Sequence, residues 1–197
     1  MISTIDMLKD NLNRSIEAKQ QLLLSDEQME IFSRAAEVVL GAYQNDGRLY
    51  IAGNGGSAAD AQHLAAEFVS KLARDRAPLP TEALTVDTSI LTAIGNDYGY
   101  EKVFSRQILG KATERDVFLG ITTSGQSPNI LDALDACKTT GIPSIVFSGR
   151  NGGPARDQAD YCIVVPGEMT STIQETHILL AHTLCQSVEC AMFGDGS

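Results

Sequence analysis

Cationic side chains are scarce in this sequence, and no run of them occurs. Its 197 residues contain 15 Lys and Arg against 25 Asp and Glu, which gives a formal charge of -10 at neutral pH. Such a chain repels a phosphate backbone, so nucleic acid is not an expected partner. A small anionic substrate remains compatible with this charge, because helix N-termini and backbone N–H groups supply local positive potential inside a pocket.

Long apolar runs are also missing. No uninterrupted stretch is long enough to span a bilayer, and residues 1–9 carry acidic side chains where a signal peptide has an apolar core. The cysteines show no Cys-x-x-Cys spacing and stand among apolar neighbours, which predicts buried, reduced thiols. We therefore expect a cytoplasmic protein without a membrane partner. The cysteines are Cys137, Cys162, Cys185 and Cys190.

Short β-rich runs alternate with segments of helical length from residue 49 onward. Their near-continuous apolar character is typical of strands in a parallel sheet that is covered on both faces. Because no internal repeat or linker interrupts the pattern, we expect a single domain over residues 1–197. Its α/β core, residues 47–197, is predicted to be a three-layer sandwich with a five-stranded parallel sheet in flavodoxin-like strand order. The predicted strands are 49–52, 83–86, 117–121, 144–147 and 161–165.

The two ends of the chain have a helical pattern. Residues 1–46 precede the first strand and are predicted to form a helical hairpin, whose second helix opens at Ser25 with Gln28 at capping-box spacing. The apolar residues of that second helix outnumber what it needs to cover its own sheet, so we expect 1–46 to be an oligomerisation arm. Residues 171–193 are predicted to form a helix with Thr170 or Ser171 as its N-cap.

Two loops rich in glycine or hydroxyl groups follow the first and third strands, at residues 53–57 and 122–128. Each leads into a helix, where glycine allows close approach of the backbone and the helix N-terminus favours an anion. In flavodoxin-like order these loops face each other across the switch point at which ligands bind. The sequence therefore predicts one anion pocket between them, although either loop alone is also compatible with an ordinary β–α turn.

A dinucleotide site is the rival interpretation of the first loop. Gly53, Gly55 and Ala58 satisfy the G-x-G-x-x-G/A spacing, and Asp87 follows the second strand as a ribose-binding acid does. However, the chain has no room for a separate substrate domain, and the second, hydroxyl-rich loop has no role in dinucleotide binding. These observations favour another anionic ligand over a nicotinamide cofactor.

Acid–base and metal candidates lie on the helix after the first loop. Asp60, His63 and Glu67 share one stripe of that helix. His63 and Glu67 are one turn apart, and such a pair suits a zinc site or acid–base catalysis. The same spacing is common for a solvated surface pair.

The last helix offers two competing histidines. His177 and His182 are five residues apart, about 140° around a helix, so they cannot both face one site. The spacing alone does not choose between them, because Gln174 lies about 60° from the first and about 80° from the second. Glu175 stays open as a further candidate.

Four separated motifs resemble the phosphoheptose isomerase branch of the sugar isomerase (SIS) domain proteins, in that family's order and spacing. They cover residues 53–63, 91–97, 123–129 and 173–177, and the resemblance extends over essentially the whole chain. It implies conversion of sedoheptulose 7-phosphate to D-glycero-D-manno-heptose 7-phosphate through an enediol(ate), the first step towards ADP-heptose and lipopolysaccharide core heptose. It also implies a homotetramer with sites at subunit interfaces. A neighbouring subunit can then contribute some of the residues of each site.

The resemblance also implies the site residues. It gives Glu67 and His182 as the catalytic acid–base pair, and thereby chooses between the two histidines. One zinc ion per subunit is implied, with His63, Glu67, Gln174 and His182 as its ligands. The loop 122–127 is implied to hold the phosphate of a phosphorylated seven-carbon sugar. The implied substrate contacts are Asn54, Gly55, Gly56, His63, Glu67, Asn96, Asp97, Thr122, Thr123, Ser124, Ser127 and Gln174.

A non-catalytic regulator is the alternative within the same fold. The replication initiator-associating protein resembles this chain in size and in the region 91–97, but it lacks a carboxylate at the position of Glu67 and does not keep the hydroxyl loop. A protein-binding module needs no aligned acid, base and phosphate cradle. The presence of Glu67, His182 and the loop 122–127 therefore favours an enzyme.

Overall fold

The computed structural model describes residues 3–73 and 75–194. Helices and strands alternate through most of this range, with a short 3-10 helix, Tyr100–Lys102, after α4. The described elements are α1 Thr4–Leu23, α2 Asp26–Gln44, β1 Leu49–Gly53, α3 Gly56–Val69, β2 Thr81–Ala83, α4 Thr88–Tyr98, α5 Ser105–Lys111, β3 Val117–Thr122, α6 Pro128–Thr140, β4 Ser144–Gly149, α7 Ala155–Gln158, β5 Tyr161–Val165 and α8 Thr170–Phe193.

The five strands form one parallel sheet in the order β2-β1-β3-β4-β5. Side chains alternate between its faces, so Ile51 joins a core with α2, α3 and α8, while Tyr50 joins a second core with α5 and α6. The predicted three-layer α/β sandwich and its strand order are confirmed. Among the described residues, no helix is long and apolar enough to cross a membrane.

The second strand lies earlier than predicted. It covers Thr81–Ala83 instead of 83–86, and Val86 is 55% exposed. The reason is that β2 is an edge strand with only three residues paired to β1, after which the chain turns into α4. Asp87 is the N-cap of α4 and accepts a hydrogen bond from the Ile90 N–H at 2.9 Å.

The start of α8 and the capping box of α2 differ from the prediction. Helix α8 begins at Thr170 with Met169 at the N-cap, so neither Thr170 nor Ser171 is the cap. Ser25 caps α2 as predicted, and its hydroxyl accepts a hydrogen bond from the Gln28 N–H at 3.4 Å. The Gln28 side chain does not complete a capping box, because its Oε1 accepts a hydrogen bond from the Val164 N–H at 2.6 Å.

The helical hairpin packs on its own chain. Ala35 and Val39 of α2 are buried in the sheet core, and the Phe32 ring lies 6.4 Å from that of Phe147. The apolar residues of α2 were predicted to form the surface available for oligomerisation, but the large exposed apolar side chains at this end of the chain lie mainly on α1. Those of α1 are Ile5, Met7, Leu8, Leu12, Ile16 and Leu23.

Three of the four cysteines are buried as predicted, and the fourth is only half-buried. Cys137, Cys162 and Cys185 are buried thiols, and Cys190 is half-buried. Burial raises the pKa of Cys137 and Cys185 to about 12 and that of Cys162 to about 11. At neutral pH these three thiols are therefore protonated and poorly nucleophilic.

We expect Gln28→Ala to lower the free energy of unfolding by about 1 to 3 kcal/mol, because it leaves the Val164 N–H of β5 without its acceptor. Urea unfolding measures the change. Glu37→Ala, at an exposed position of the same helix, is the matched control, with an expected change within about 0.5 kcal/mol. Equal stability of the two variants would show that Gln28 does not hold α2 to the sheet edge.

Candidate metal and phosphate site

The two predicted loops stand at the carboxyl edge of the sheet, where β1 and β3 end. Gly55 has φ +56°, and a Cβ there would meet open space. Gly125 has φ +66°, and a Cβ there would collide with the carbonyl oxygen of Gly152. A larger residue at Gly125 would therefore displace the loop after β3, whereas Gly55 leaves room for a ligand beside the backbone.

A reciprocal amide pair joins these loops. Asn54 Nδ2 donates to Asn129 Oδ1 at 2.9 Å, and Asn129 Nδ2 donates to Asn54 Oδ1 at 2.8 Å. The Tyr100 hydroxyl also donates to Asn54 Oδ1, at 3.3 Å. The loops thus face each other as the strand order predicted. The interpretation of the sequence assigned no role to Asn129 or Tyr100, since nothing local marks a residue whose partner is 46 to 75 positions away.

The hydroxyl groups after β3 are partly paired with one another. Thr122 Oγ1 lies 2.9 Å from Ser127 Oγ, and Ser124 Oγ accepts a hydrogen bond from the Gln126 N–H at 3.2 Å. Ser127 occupies the N-cap position of α6, but its hydroxyl makes no capping bond to that helix. Pro128 has no N–H, and the N–H groups of Ile130 and Leu131 donate to the Ser127 carbonyl oxygen at 3.0 Å. An anion at this helix N-terminus would therefore be held mainly by the hydroxyl groups of the loop and by the positive end of the helix dipole.

Three predicted metal ligands meet within one chain, in a group that we call the histidine–carboxylate cluster: His63, Glu67 and His182. The Oε1 atom of Glu67 lies 3.0 Å from His63 Nε2 and 3.3 Å from His182 Nε2, and the two Nε2 atoms are 3.1 Å apart. All candidate ligand atoms lie within 4.8 Å of one another. Glu67 is 12% exposed, against 52% and 43% for the histidines, so the cluster opens to solvent on its histidine side.

The donor set of this cluster fits a divalent metal. Two imidazoles and one carboxylate are a usual set of three protein ligands for zinc. The Oε2 atom of Glu67 is buried and has no hydrogen-bond partner among the described residues. A carboxylate whose second oxygen is left unsatisfied is expected where a cation or another charge compensates for the loss of water.

Asp60 stands one turn before His63 on α3. Its Oδ2 atom is also buried without a partner among the described residues. Burial raises the pKa of Asp60, and the nearby His63 opposes that shift. The third member of the predicted stripe is therefore a half-buried carboxyl group next to the cluster.

Gln174 lies with the first loop. It precedes His182 by eight residues, about 12 Å along the axis of α8. A Cβ at Gly56 would collide with the side-chain amide of Gln174, so this amide lies over the N-terminus of α3. The structure therefore groups three of the four predicted ligands and holds the fourth against the loop 53–57.

Asn96 and Asp97 are also apart from the loops. Both lie exposed on α4, where the Asn96 amide donates to Asp97 Oδ1 at 2.7 Å. Leu91 and Ile94 of α4 pack, half-buried, against the second core, and no residue of this helix is fully buried in this chain. Within one chain these two predicted substrate contacts thus remain on the surface.

The competing candidates on α8 face elsewhere. His177 is fully buried, and its Nε2 lies 3.0 Å from the Ser148 carbonyl oxygen. Burial lowers the pKa of His177 to about 4, so the ring is neutral and its Nε2–H donates to that carbonyl. Glu175 accepts a hydrogen bond from the Ser15 hydroxyl of α1 at 2.5 Å. Of the two histidines on α8, only His182 reaches His63 and Glu67.

Comparisons with known proteins agree over nearly the whole chain. The SIS domain family matches residues 13–149. The phosphoheptose isomerase of Aneurinibacillus thermoaerophilus is 49% identical over 188 residues, which are 95% of this chain and 95% of the relative. Phosphoheptose isomerase 2 of Campylobacter jejuni is 50% identical over 189 residues, 96% of this chain and 94% of the relative. The solved phosphoheptose isomerase of Neisseria gonorrhoeae has a TM-score of 0.88 at 40% identity and covers 95% of this chain and 99% of its own.

We expect the purified protein to bind about one divalent metal ion per chain at the histidine–carboxylate cluster, since three suitable ligands converge there. Elemental analysis after dialysis measures the stoichiometry. His63→Ala and His182→Ala should lose most of the metal, whereas His177→Gln, the control on the same helix as His182, should keep it. Equal metal content in all three variants would place the ion outside the cluster.

Proposed function

This chain belongs to the phosphoheptose isomerases of the SIS domain family, and we propose that it converts sedoheptulose 7-phosphate to D-glycero-D-manno-heptose 7-phosphate through an enediol(ate). The observation that carries this proposal is the meeting of Glu67 with two histidines, on the helix that follows the glycine loop. The proposed base thus stands on the helix that begins at the glycine loop, and that loop faces the proposed phosphate loop after β3, so one site offers both acid–base groups and an anion cradle.

The reaction needs proton transfers and no external oxidant. One proton moves between C1 and C2 of the sugar while another moves between the two oxygens, so one base and one acid suffice. We assign the base to Glu67, whose Oε1 faces the open side of the cluster, and the acid to His182, 3.3 Å away. Rotation of the Glu67 carboxylate would break no hydrogen bond at Oε2, because that atom has no partner among the described residues.

Zinc, one ion per subunit, is the metal that the ligand types favour, and His63, Glu67 and His182 would hold it. When bound, it would polarise the sugar carbonyl and stabilise the charge that develops on oxygen. Gln174 stays the fourth proposed ligand, although its amide lies over Gly56 in this chain, about 12 Å along the axis of α8 from His182. Binding through Glu67 Oε1 would also reduce the basicity of the carboxylate, so Glu67 would have to leave the metal in order to act as the base.

The phosphate is proposed to bind at the loop after β3. Thr123, Ser124 and Ser127 are half-buried there at the N-terminus of α6, where hydroxyl and backbone N–H donors can converge on an anion. Gly55 and Gly56 leave backbone exposed on the opposite loop, and Asn54 is joined to Asn129 between them. The remaining proposed contacts of this half of the site are Thr122 and the amide of Gln174.

A homotetramer with sites at subunit interfaces is the proposed assembly. Residues 1–46 would act as the oligomerisation arm of a single domain, since α1 exposes apolar side chains that include Leu8 and Leu12. Helix α4, none of whose residues is fully buried in this chain, would contact a neighbouring subunit in the same assembly. Such packing would bring Asn96 and Asp97, on the same helix, close to a substrate.

The product would feed ADP-heptose and the heptose of a lipopolysaccharide core. We propose the cytoplasm as the location, which the buried thiols Cys137, Cys162 and Cys185 support because reduced cysteines persist there. A non-catalytic regulator of the same fold is the weaker alternative. The convergence of Glu67 and His182 in one cluster would serve no purpose in such a protein.

We expect Ser124→Ala to weaken substrate binding more than it slows the chemical step, because this hydroxyl is proposed to contact the unreactive phosphate. The loss of one charge-assisted hydrogen bond costs about 1.5 to 3 kcal/mol, roughly a ten- to hundredfold loss of affinity. Calorimetry with the sugar phosphate measures it. Ser187→Ala, whose hydroxyl bonds the Thr183 carbonyl on the exposed side of α8, is the control. If Ser124→Ala binds the sugar phosphate with unchanged affinity, the loop after β3 is an ordinary β–α turn and Ser124 does not bind the phosphate.

The sharpest test is Glu67→Gln, which nearly preserves shape but removes the carboxylate. Turnover should fall by ~10² to 10⁴ while substrate binding survives, since a positioned base contributes about that factor. Wild type should also exchange the C1 or C2 hydrogen with deuterium from D₂O, and the variant should not do so at a comparable rate. Mass spectrometry of the sugar follows this exchange.

Glu175→Gln is the matched control for this experiment, because its carboxylate lies on α8 but is directed at Ser15. It should exchange deuterium and turn over like wild type. A Glu67→Gln protein that binds metal normally and isomerises at nearly the wild-type rate would reject Glu67 as the base and return Asp60 to consideration.

A further inference from the structure

A buried ion pair closes the C-terminal end of α3. Arg76 Nε donates to Glu189 Oε1 at 2.8 Å, and both side chains are only 2% exposed. The Glu189 carboxylate also accepts from the backbone N–H groups of Leu72 at 3.1 Å and Ala73 at 3.4 Å. Burial alone would raise the pKa of Glu189, but these hydrogen bonds and the guanidinium hold it below its ordinary value. The pair is therefore charged on both sides and fully hydrogen-bonded, as burial of charge requires.

The remaining donors of Arg76 bind the last turn of α3. Nη2 donates to the Glu67 carbonyl oxygen at 2.9 Å, and Nη1 donates to that of Phe68 at 2.6 Å. Carbonyl groups at a helix C-terminus lack intrahelical partners, and a cation there also complements the helix dipole. Arg76 thus supplies the cap of α3 and holds the backbone of the residue that we assign as the base.

Glu189 connects this cap to the other helix of the cluster. It follows His182 by seven residues on α8, so the two side chains lie on the same face of that helix. The ion pair therefore links the backbone of Glu67 on α3 to the His182 face of α8, and the Phe193 ring lies 5.8 Å from the guanidinium carbon. One contact of the cluster, Glu67 Oε1 to His182 Nε2, spans the same two helices.

We propose that Arg76 and Glu189 are positioning residues for the histidine–carboxylate cluster: they fix the spacing of α3 and α8 at which its three side chains bind one metal ion. This inference rests on the metal role proposed above. Metal–ligand distances tolerate deviations of only about 0.2 Å, whereas apolar cores accept substitutions that shift side chains further. A directed ion pair between α8 and the segment that caps α3 meets that tolerance better than apolar packing does.

The test replaces both partners at once, with Arg76→Met and Glu189→Leu in one protein. Replacing a whole buried ion pair by apolar residues is often neutral for stability. The double variant is therefore expected to fold, so a change in its zinc affinity reports on positioning and not on unfolding. The zinc dissociation constant is measured by competition with a chromophoric chelator, and thermal unfolding is followed in the metal-free protein. We expect a dissociation constant raised about tenfold or more, as for outer contacts of metal ligands, with unfolding of the metal-free protein little changed.

Arg34→Gln is the control, because it removes an arginine from an exposed ion pair with Glu30 on α2. It should alter neither zinc affinity nor unfolding. A folded double variant with the wild-type dissociation constant overturns the proposal. If the double variant does not fold, Arg76→Lys decides, because lysine keeps the charge at Glu189 but cannot also serve both carbonyl groups. Weaker zinc binding by folded Arg76→Lys supports the proposal, and wild-type binding overturns it.

The wild-type titration separates this proposal from the one on which it rests. A wild-type protein that binds no zinc contradicts the metal role itself, and the positioning role with it. A wild-type protein that binds zinc, together with a folded variant of equal affinity, contradicts the positioning role alone and leaves the proposed isomerase site intact.

Discussion

The side-by-side packing of α3 and α8 is the constraint on which the site depends. Contacts recur along both helices in the same order: Gln174 lies over Gly56, His182 beside His63, and Glu189 at the end of α3. Helix α8 follows β5, three positions from β1 in the sheet, so it has to cross the sheet face to reach α3. The buried apolar face of α8 holds it on the sheet, and the contacts of His182 with His63 and Glu67 then follow from that crossing.

Local patterns predicted most of the fold because they are set by neighbours in sequence. Apolar runs gave four of five strands within two residues, and the glycine and hydroxyl loops fell at the carboxyl edge as the strand order requires. The second strand escaped because an edge strand with three paired residues carries little apolar signal. Its best apolar residues, Leu84 and Val86, lie beyond the pairing, and only the first of them is buried.

Contacts between distant residues could not be predicted in the same way. Arg76 and Glu189 read as surface charges, since neither type is expected inside a protein without a partner, and the partner lies 113 positions away. The amide of Gln174 was grouped with His182 on the strength of the family resemblance, whereas its position eight residues earlier on α8 sets it over Gly56. The sequence thus predicted which helices carry the reactive side chains. It did not predict the position along the helix axis at which each side chain makes its contacts.

The amide pair between the loops has a consequence for what this crevice can read. Both lone pairs of Asn54 Oδ1 are engaged, one by the Asn129 amide and one by the Tyr100 hydroxyl, and one hydrogen of Asn54 Nδ2 is given to Asn129. Only the second hydrogen of Asn54 Nδ2 is left to bond a ligand. Towards a ligand, Asn54 can therefore act only as a hydrogen-bond donor, so it selects for a group that accepts, such as a carbonyl, hydroxyl or phosphate oxygen, and against a group that can only donate, such as an ammonium.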